Sequence, residues 1–307
     1  MRFLLLFLSF VFVNLSAEAK YHVVWQVPPD GVCERDWTRE ILSKLDYDEV
    51  WENRGYSIFK DKSVIIIDGN GSPDYIPYFE KLLKKGYRFV VIAHSDEYYH
   101  APTYYYPKIP FVFRNYWKAE FAKYPNVKPF ALGYVKNFWN NCPNPIIKAA
   151  GKRKYVWAFA GDVNKTTRQS MYQNMKNIPG GFIHCTSGFL TQDALSREQY
   201  RDILLDSVFA PAPTGNYNPE SFRIYEALEC GCIPIVESSP FDYYKLLLGP
   251  HPFITVRNWD EAPHAIHRLL ANPQALEKKR KECHDWWLHY KENMKTEMAD
   301  IITKILN

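Results

Sequence analysis

Beyond its first nineteen residues, the 307-residue sequence has no apolar run approaching the length of a membrane span, which takes about 20 residues. It also lacks the G-x-S-x-G and H-E-x-x-H motifs, which argues against a serine hydrolase and a zinc protease. Strong charge of either sign is missing. The 38 Lys and Arg exceed the 34 Asp and Glu by only four, so composition gives no reason to expect a nucleic-acid partner. Cysteine is sparse, and Cys230-Gly231-Cys232 is a C-x-C with no second ligand pair nearby, so no zinc site is expected. There is no internal repeat and no low-complexity segment. Two short patterns lack the context their chemistry needs. Asp46-Tyr47-Asp48 is a D-x-D without an apolar strand before it and reads as a solvated turn. Asp68-Gly69-Asn70-Gly71-Ser72 follows a strand but has neither G-x-G-x-x-G spacing nor a Walker lysine, and reads as a plain turn.

What is present begins with an export signal. Arg2, the apolar run Phe3–Val13 and Ala17-Glu18-Ala19 form the basic, apolar and small-x-small pattern of a secretory leader over residues 1–19. An uncleaved anchor is the alternative. Export would permit up to three disulfides among Cys33, Cys142, Cys185, Cys230, Cys232 and Cys283. It would also expose two sequons, Asn70-Gly71-Ser72 and Asn164-Lys165-Thr166.

Strand and helix patterns alternate in two blocks. Continuous apolar runs such as Val64–Ile67 and Phe89–Ala93 have the character of strands covered on both faces. Helical patterns at Trp37–Leu45 and Tyr75–Lys85 accompany them. After a cluster of Asn, Pro, Gly and Lys at Asn140–Lys154, the pattern repeats. Strands are expected at Lys154–Ala160, Phe182–Cys185 and Val208–Ala210, helices at Thr166–Asn177 and Arg197–Leu205, and a long closing helix over Gln274–Asn307. Such alternation predicts an α/β protein of two doubly wound, Rossmann-like domains.

Ligands of such sheets lie beyond the carboxyl ends of the strands. There the sequence places His94-Ser95-Asp96-Glu97, Gly161, and the loop Pro211–Tyr217 leading into S-F-R-I-Y-E-A-L-E-C-G-C-I-P-I-V over Ser221–Val236. With Asn218 as N-cap and Pro219 at the first helical position, Ser221 and Arg223 fall near a helix start that favours an anion. Glu226 lies one turn deeper. A diphosphate on Arg223 and ribose hydroxyls on Glu226 would suit a sugar nucleotide; the plain alternative is a surface helix with an ordinary Arg–Glu pair.

The segment from Phe209-Ala210-Pro211 through Gly215 and the Ser221–Val236 motif resemble the C-terminal half of exostosin-type glycosyltransferases, in particular the ribitol xylosyltransferase branch. His94-Ser95-Asp96-Glu97, Arg114-Asn115-Tyr116, Leu132-Gly133-Tyr134 and Phe159-Ala160-Gly161 with Arg168 share the likeness. The resemblance implies two Rossmann-like domains facing a cleft, the GT-B fold. It divides the chain into the leader, an acceptor-side domain over 20–145, a nucleotide-sugar domain over 146–285, and a terminal helix over 286–307 packing back on the first domain. It further implies an inverting transfer needing no metal and no cofactor beyond the nucleotide sugar, a UDP-linked one, with a glycan or glycoprotein as acceptor. Gly161, Arg168, Ser221, Arg223 and Glu226 would bind the donor. Asp96 or Glu97 would be the base, with Asp96 preferred for its shorter, more rigidly aimed side chain; as the alternative, it caps the following turn. His94 and Arg114 would lie on the acceptor side. Tyr98, Tyr99 and Tyr104–Tyr106 are either an acceptor platform or loop packing. Because sugar nucleotides are supplied to the Golgi lumen, a lumenal enzyme is expected, the alternatives being a secreted one and an inactive carbohydrate-binding module on the same fold.

Overall fold

The computed structural model describes residues 20–69, 75–189, 191–238 and 241–307. The leader, the sequon at 70–72 and most of the expected turn at 68–72 lie outside them. The first sheet is six-stranded and all parallel. It comprises β1 (Tyr21–Trp25), β2 (Tyr47–Trp51), β3 (Ser63–Asp68), β4 (Phe89–His94), β5 (Val112–Arg114) and β6 (Val127–Pro129), in the order β2-β1-β3-β4-β5-β6. The second is five-stranded, also parallel. Its strands β7 (Tyr155–Gly161), β8 (Gly181–Cys185), β9 (Ser207–Pro211), β10 (Ile233–Glu237) and β11 (Ile254–Val256) run in the order β11-β10-β9-β7-β8. Each sheet therefore reverses its strand order once, between β1 and β3 and between β7 and β9, and crevices for ligands open at such points.

The helices cover the sheets in the way their apolar spacing dictates. In α2 (Tyr75–Lys84), Tyr75, Tyr78, Phe79 and Leu82 are buried, a spacing of i, i+3, i+4 and i+7. The shorter helices α1 (Arg35–Ile41), α3 (Arg168–Met175), α4 (Arg197–Leu205), α5 (Phe222–Glu229), α6 (Tyr243–Leu248) and α7 (Ala262–Leu270) follow. The 34-residue α8 (Pro273–Leu306) closes the chain, spanning about 50 Å at 1.5 Å per residue. Its buried seam runs through Leu276, Arg280, Cys283, Trp287, Lys291, Met294, Met298, Ile302 and Leu306, at the three- and four-residue steps that keep one face of a helix inward. Trp287 stacks on Trp37 of α1 at 5.5 Å. Lys291 joins Glu229 of α5 at 2.7 Å to Glu40 of α1 at 3.2 Å. Farther along, Thr303 meets Tyr21, so the helix touches both lobes.

Three expectations change. Asp48 is not in a solvated turn but in edge strand β2, paired with His22. All six cysteines are free thiols. The N-cap of α5 is Ser221, not Asn218, because the Asn218 side chain instead accepts the Glu220 N–H at 2.9 Å and the helix begins at Phe222.

Candidate active site

The carboxyl ends of β7 and β9, the reversal point of the second sheet, open onto a cavity between the lobes of about 1080 Å³, solvent-open part included. From the second lobe its wall holds Gly161, Asp162, Lys165, Arg168, Arg197, Ser221, Arg223 and Glu226; from the first it holds Glu97, Tyr116, Leu132 and Val135. Gly161, Arg168, Ser221, Arg223, Glu226 and Glu97, all named from the sequence, thus border one space.

The cavity wall mixes charges of both signs, but its arginines are not ion-paired. Among the described residues, neither Arg168, Arg197 nor Arg223 forms a salt bridge to a carboxylate within 4.0 Å. Arg168 is buried and donates to the Thr214 and Asp162 carbonyls at 3.1 and 3.3 Å. Burial, and then the neighbouring Arg223 charge, push it down to about 10, still protonated at neutral pH. Arg223 donates to the Ala160 carbonyl at 3.3 Å and stacks 5.0 Å from the Phe159 ring. Ser221, at the start of α5, is 7% exposed, and among the described residues no hydrogen bond within 3.5 Å reaches its Oγ. The neighbouring Tyr244 hydroxyl spends its proton on the Pro219 carbonyl at 2.9 Å. Guanidinium groups outside any close ion pair, a hydroxyl free to donate and a helix N-terminus together suit an anion.

One turn deeper, Glu226 is buried and pushed up to about 7 by desolvation; the Arg197 and Arg223 charges pull the other way. Among the described residues its single hydrogen bond is a long one, 3.5 Å from the Val135 N–H. The carboxyl therefore has acceptor capacity to spare for ligand hydroxyls.

Gly161 is required by its neighbour. Its φ is +148°, and a Cβ there would stand 2.3 Å from Arg223 Nη2. Because that atom is the end of a flexible side chain, Gly161→Ala is expected to displace the guanidinium.

On the first lobe the structure departs from the expected roles. Asp96 is 1% exposed and lies off the cavity. It is ion-paired with Arg114 at 3.1 Å and accepts the His100 N–H at 2.7 Å. Burial raises its pKa against the pull of the Arg114 charge. The base role expected of Asp96 does not fit this setting; it caps the next turn instead. Arg114 is spent on Asp96, Tyr106 and Asn115, with its guanidinium 4.2 Å above the Phe121 ring. His94 is still inside β4, buried, bonded to Thr38 at 2.9 Å and pushed down to about 3 by desolvation. Neither His94 nor Arg114 lines the cavity, so the acceptor-side place expected of them is not met. Tyr105 and Tyr106 are core residues, while Tyr98 and Tyr99 meet Tyr217 across the cleft.

Sequence reasoning missed Arg197 and Glu220. Arg197 opens α4 just after Ser196, whose capping box with Gln199 was there to be read, but nothing local says which way its side chain turns. Glu220 is buried and ties the lobes together. Its carboxylate accepts the Tyr116 and Leu132 N–H groups of the first lobe at 2.9 and 2.8 Å, and the Tyr225 and Tyr243 hydroxyls of the second at 2.6 and 3.2 Å.

Solved structures share this architecture. HepE of Anabaena, determined in complex with UDP, superposes with a TM-score of 0.54 at 9% identity, covering 93% of this chain and all of that one. An α1,3-fucosyltransferase gives 0.53 at 12% identity over 94% and 93% of the two chains. Among curated sequences, ribitol-5-phosphate xylosyltransferase 1 of Homo sapiens is 24% identical over 201 residues, 57% of this chain and 43% of that protein. Its Mus musculus counterpart is 26% identical over 184 residues, 52% and 41% of the two. These matches span less than half the length of the relatives. The sequence model of one family, described as the RXYLT1 C-terminal domain, matches residues 136–306, more than half of the chain and every second-lobe residue named on the cavity wall. The chain belongs to that family.

Proposed function

We propose that the chain is an inverting glycosyltransferase whose inter-lobe cavity binds a nucleotide sugar, UDP-linked, and transfers the sugar to a glycan or glycoprotein in the lumen of the secretory pathway, without a metal in the chemistry. The observation that carries this reading is the cavity in which Ser221, Arg168 and Arg223 lack an anionic partner while Glu226 keeps acceptor capacity free. In it, Arg168, Arg223 and the amino end of α5 hold the diphosphate and stabilise it as it departs, and Glu226 accepts from the ribose hydroxyls. Glu97, the carboxylate of the first lobe on the cavity wall, is the base. It takes the acceptor hydroxyl proton as the new C–O bond forms at the anomeric carbon, and the electron pair of the breaking bond leaves with the nucleoside diphosphate. The relatives' names point to xylose as the sugar and a ribitol phosphate as the acceptor.

The test is titration of the purified chain with UDP, GDP and UDP-xylose, followed by thermal unfolding and donor hydrolysis. UDP at a hundredfold excess over its Kd should add about 2.7 kcal/mol of stability. Arg223→Ala should weaken UDP ten- to a hundredfold, about 1.5–3 kcal/mol for a hydrogen-bonded charge. If none of the three nucleotides stabilises the wild type, the reading fails. Binding with neither hydrolysis nor transfer would mark the inactive recognition module instead.

A further inference from the structure

Resting on that reading, one feature of the cavity goes beyond it. Glu97 Oε1 accepts the main-chain N–H groups of three successive residues on the opposite lobe: Asn216 at 2.6 Å, Tyr217 at 2.9 Å and Asn218 at 3.4 Å. Its Oε2 takes the Asn216 side-chain amide at 3.2 Å. Successive N–H groups turned to one point form an anion-binding concavity. Gly215 lets the carboxylate approach, since a Cβ at that position would lie 2.8 Å from Glu97 Oε1. The cradle borders the same space as the unpartnered Ser221 hydroxyl and Arg168. Arg168 and Thr166 bond the carbonyls of its Thr214-Gly215 stem.

We infer that Glu97 occupies, in the empty enzyme, the seat of a donor phosphate, and that the arriving nucleoside diphosphate displaces it from the 216–218 amides and so releases it to act as the base. Held by four N–H groups of the opposite lobe, the carboxylate is pinned to the cradle and is not free to turn toward an acceptor hydroxyl. Once a phosphate oxygen takes over those donors, the carboxylate swings free on the acceptor side of the anion that freed it. Donor loading thereby arms the base, and the empty enzyme carries none. The exchange replaces one anion on the cradle by another, so the amides are never left bare.

The experiment compares UDP and inorganic pyrophosphate binding, by calorimetry, to wild type, Glu97→Gln and Glu97→Asp, with UDP-xylose hydrolysis read in parallel. Glu97→Gln removes the competing anion, so UDP should bind about tenfold tighter, as expected when a charge-assisted acceptor gives way to a neutral one, while hydrolysis falls at least a hundredfold. Glu97→Asp separates displacement from general charge repulsion. It keeps the charge but is one methylene too short for the cradle. Tightening like that of Glu97→Gln supports displacement. Wild-type affinity in Glu97→Asp, or equal or weaker binding in Glu97→Gln, overturns it and leaves Glu97 as a fixed brace. If wild type binds neither probe, the donor-site reading fails first and the inference with it.

Discussion

Glu220→Ala should lower folding stability by about 4 kcal/mol, because it orphans two buried N–H groups and two buried tyrosine hydroxyls at about 1–3 kcal/mol each, partly offset by relief of the carboxylate's own burial. All four donors are named by geometry: Tyr116 and Leu132 N–H from the first lobe, Tyr225 and Tyr243 O–H from the second. Desolvation raises the Glu220 pKa, while the hydrogen bonds from Tyr225, Leu132, Tyr116 and Tyr243 oppose it, so the fold keeps a costly group for what it joins. In urea the loss appears as a lower midpoint, and on heating as a Tm lower by roughly 10 °C for a chain of this size. Glu220→Gln should fall in between, since its amide nitrogen cannot accept. Because Glu220 immediately precedes Ser221, loosening it also frees the start of α5, and UDP affinity should drop together with stability. A Glu220→Ala protein with unchanged midpoint and unchanged UDP affinity would show that the lobes are held elsewhere.

The second large effect is at Asp96. Asp96→Ala leaves the Arg114 guanidinium buried without counter-charge, and removing one partner of a buried pair costs about 3–5 kcal/mol. The N–H groups of His100 and Ala101 lose their acceptor as well. The variant should fold poorly, and Asp96→Asn should be destabilised measurably, its amide facing the Arg114 donors. The deciding measurement is Asp96→Asn in chemical denaturation beside UDP binding. Were it as stable as wild type, able to bind UDP and yet inactive in transfer, Asp96 would be the base after all.

These two residues also mark where the sequence is readable and where it stops. The sheets could be foreseen because strands such as Val64–Ile67 and Phe89–Ala93 are apolar on both faces, as only a covered parallel sheet demands. Strand β2 escaped because, as a half-exposed edge, it carries Asp48 and Glu49. The three-residue β6 ends in proline and has no period to detect. In the site, Ser221, Arg223 and Glu226 were visible because one helix carries all three, so spacing alone sets their relation. Asp96 was misjudged because the strand-end rule gives position and not surroundings. The register pairs Ala93 with Arg114, and that brings a guanidinium from the neighbouring strand under the carboxylate three residues on. Glu220 and Arg197 depend on which lobe their side chains meet, a matter of tertiary contact that no local pattern encodes.

The cradle at residues 216–218 has a consequence for how such sites vary. Three of its four donors belong to the peptide backbone, so the side chain of Tyr217 can be exchanged widely without erasing it, and a change at Asn216 removes only the one side-chain donor. Proline, lacking an amide hydrogen, is the residue that deletes a donor outright. Two proteins can therefore hold the same anion here while sharing no residue along the loop, and a comparison of letters alone would score that stretch as unrelated.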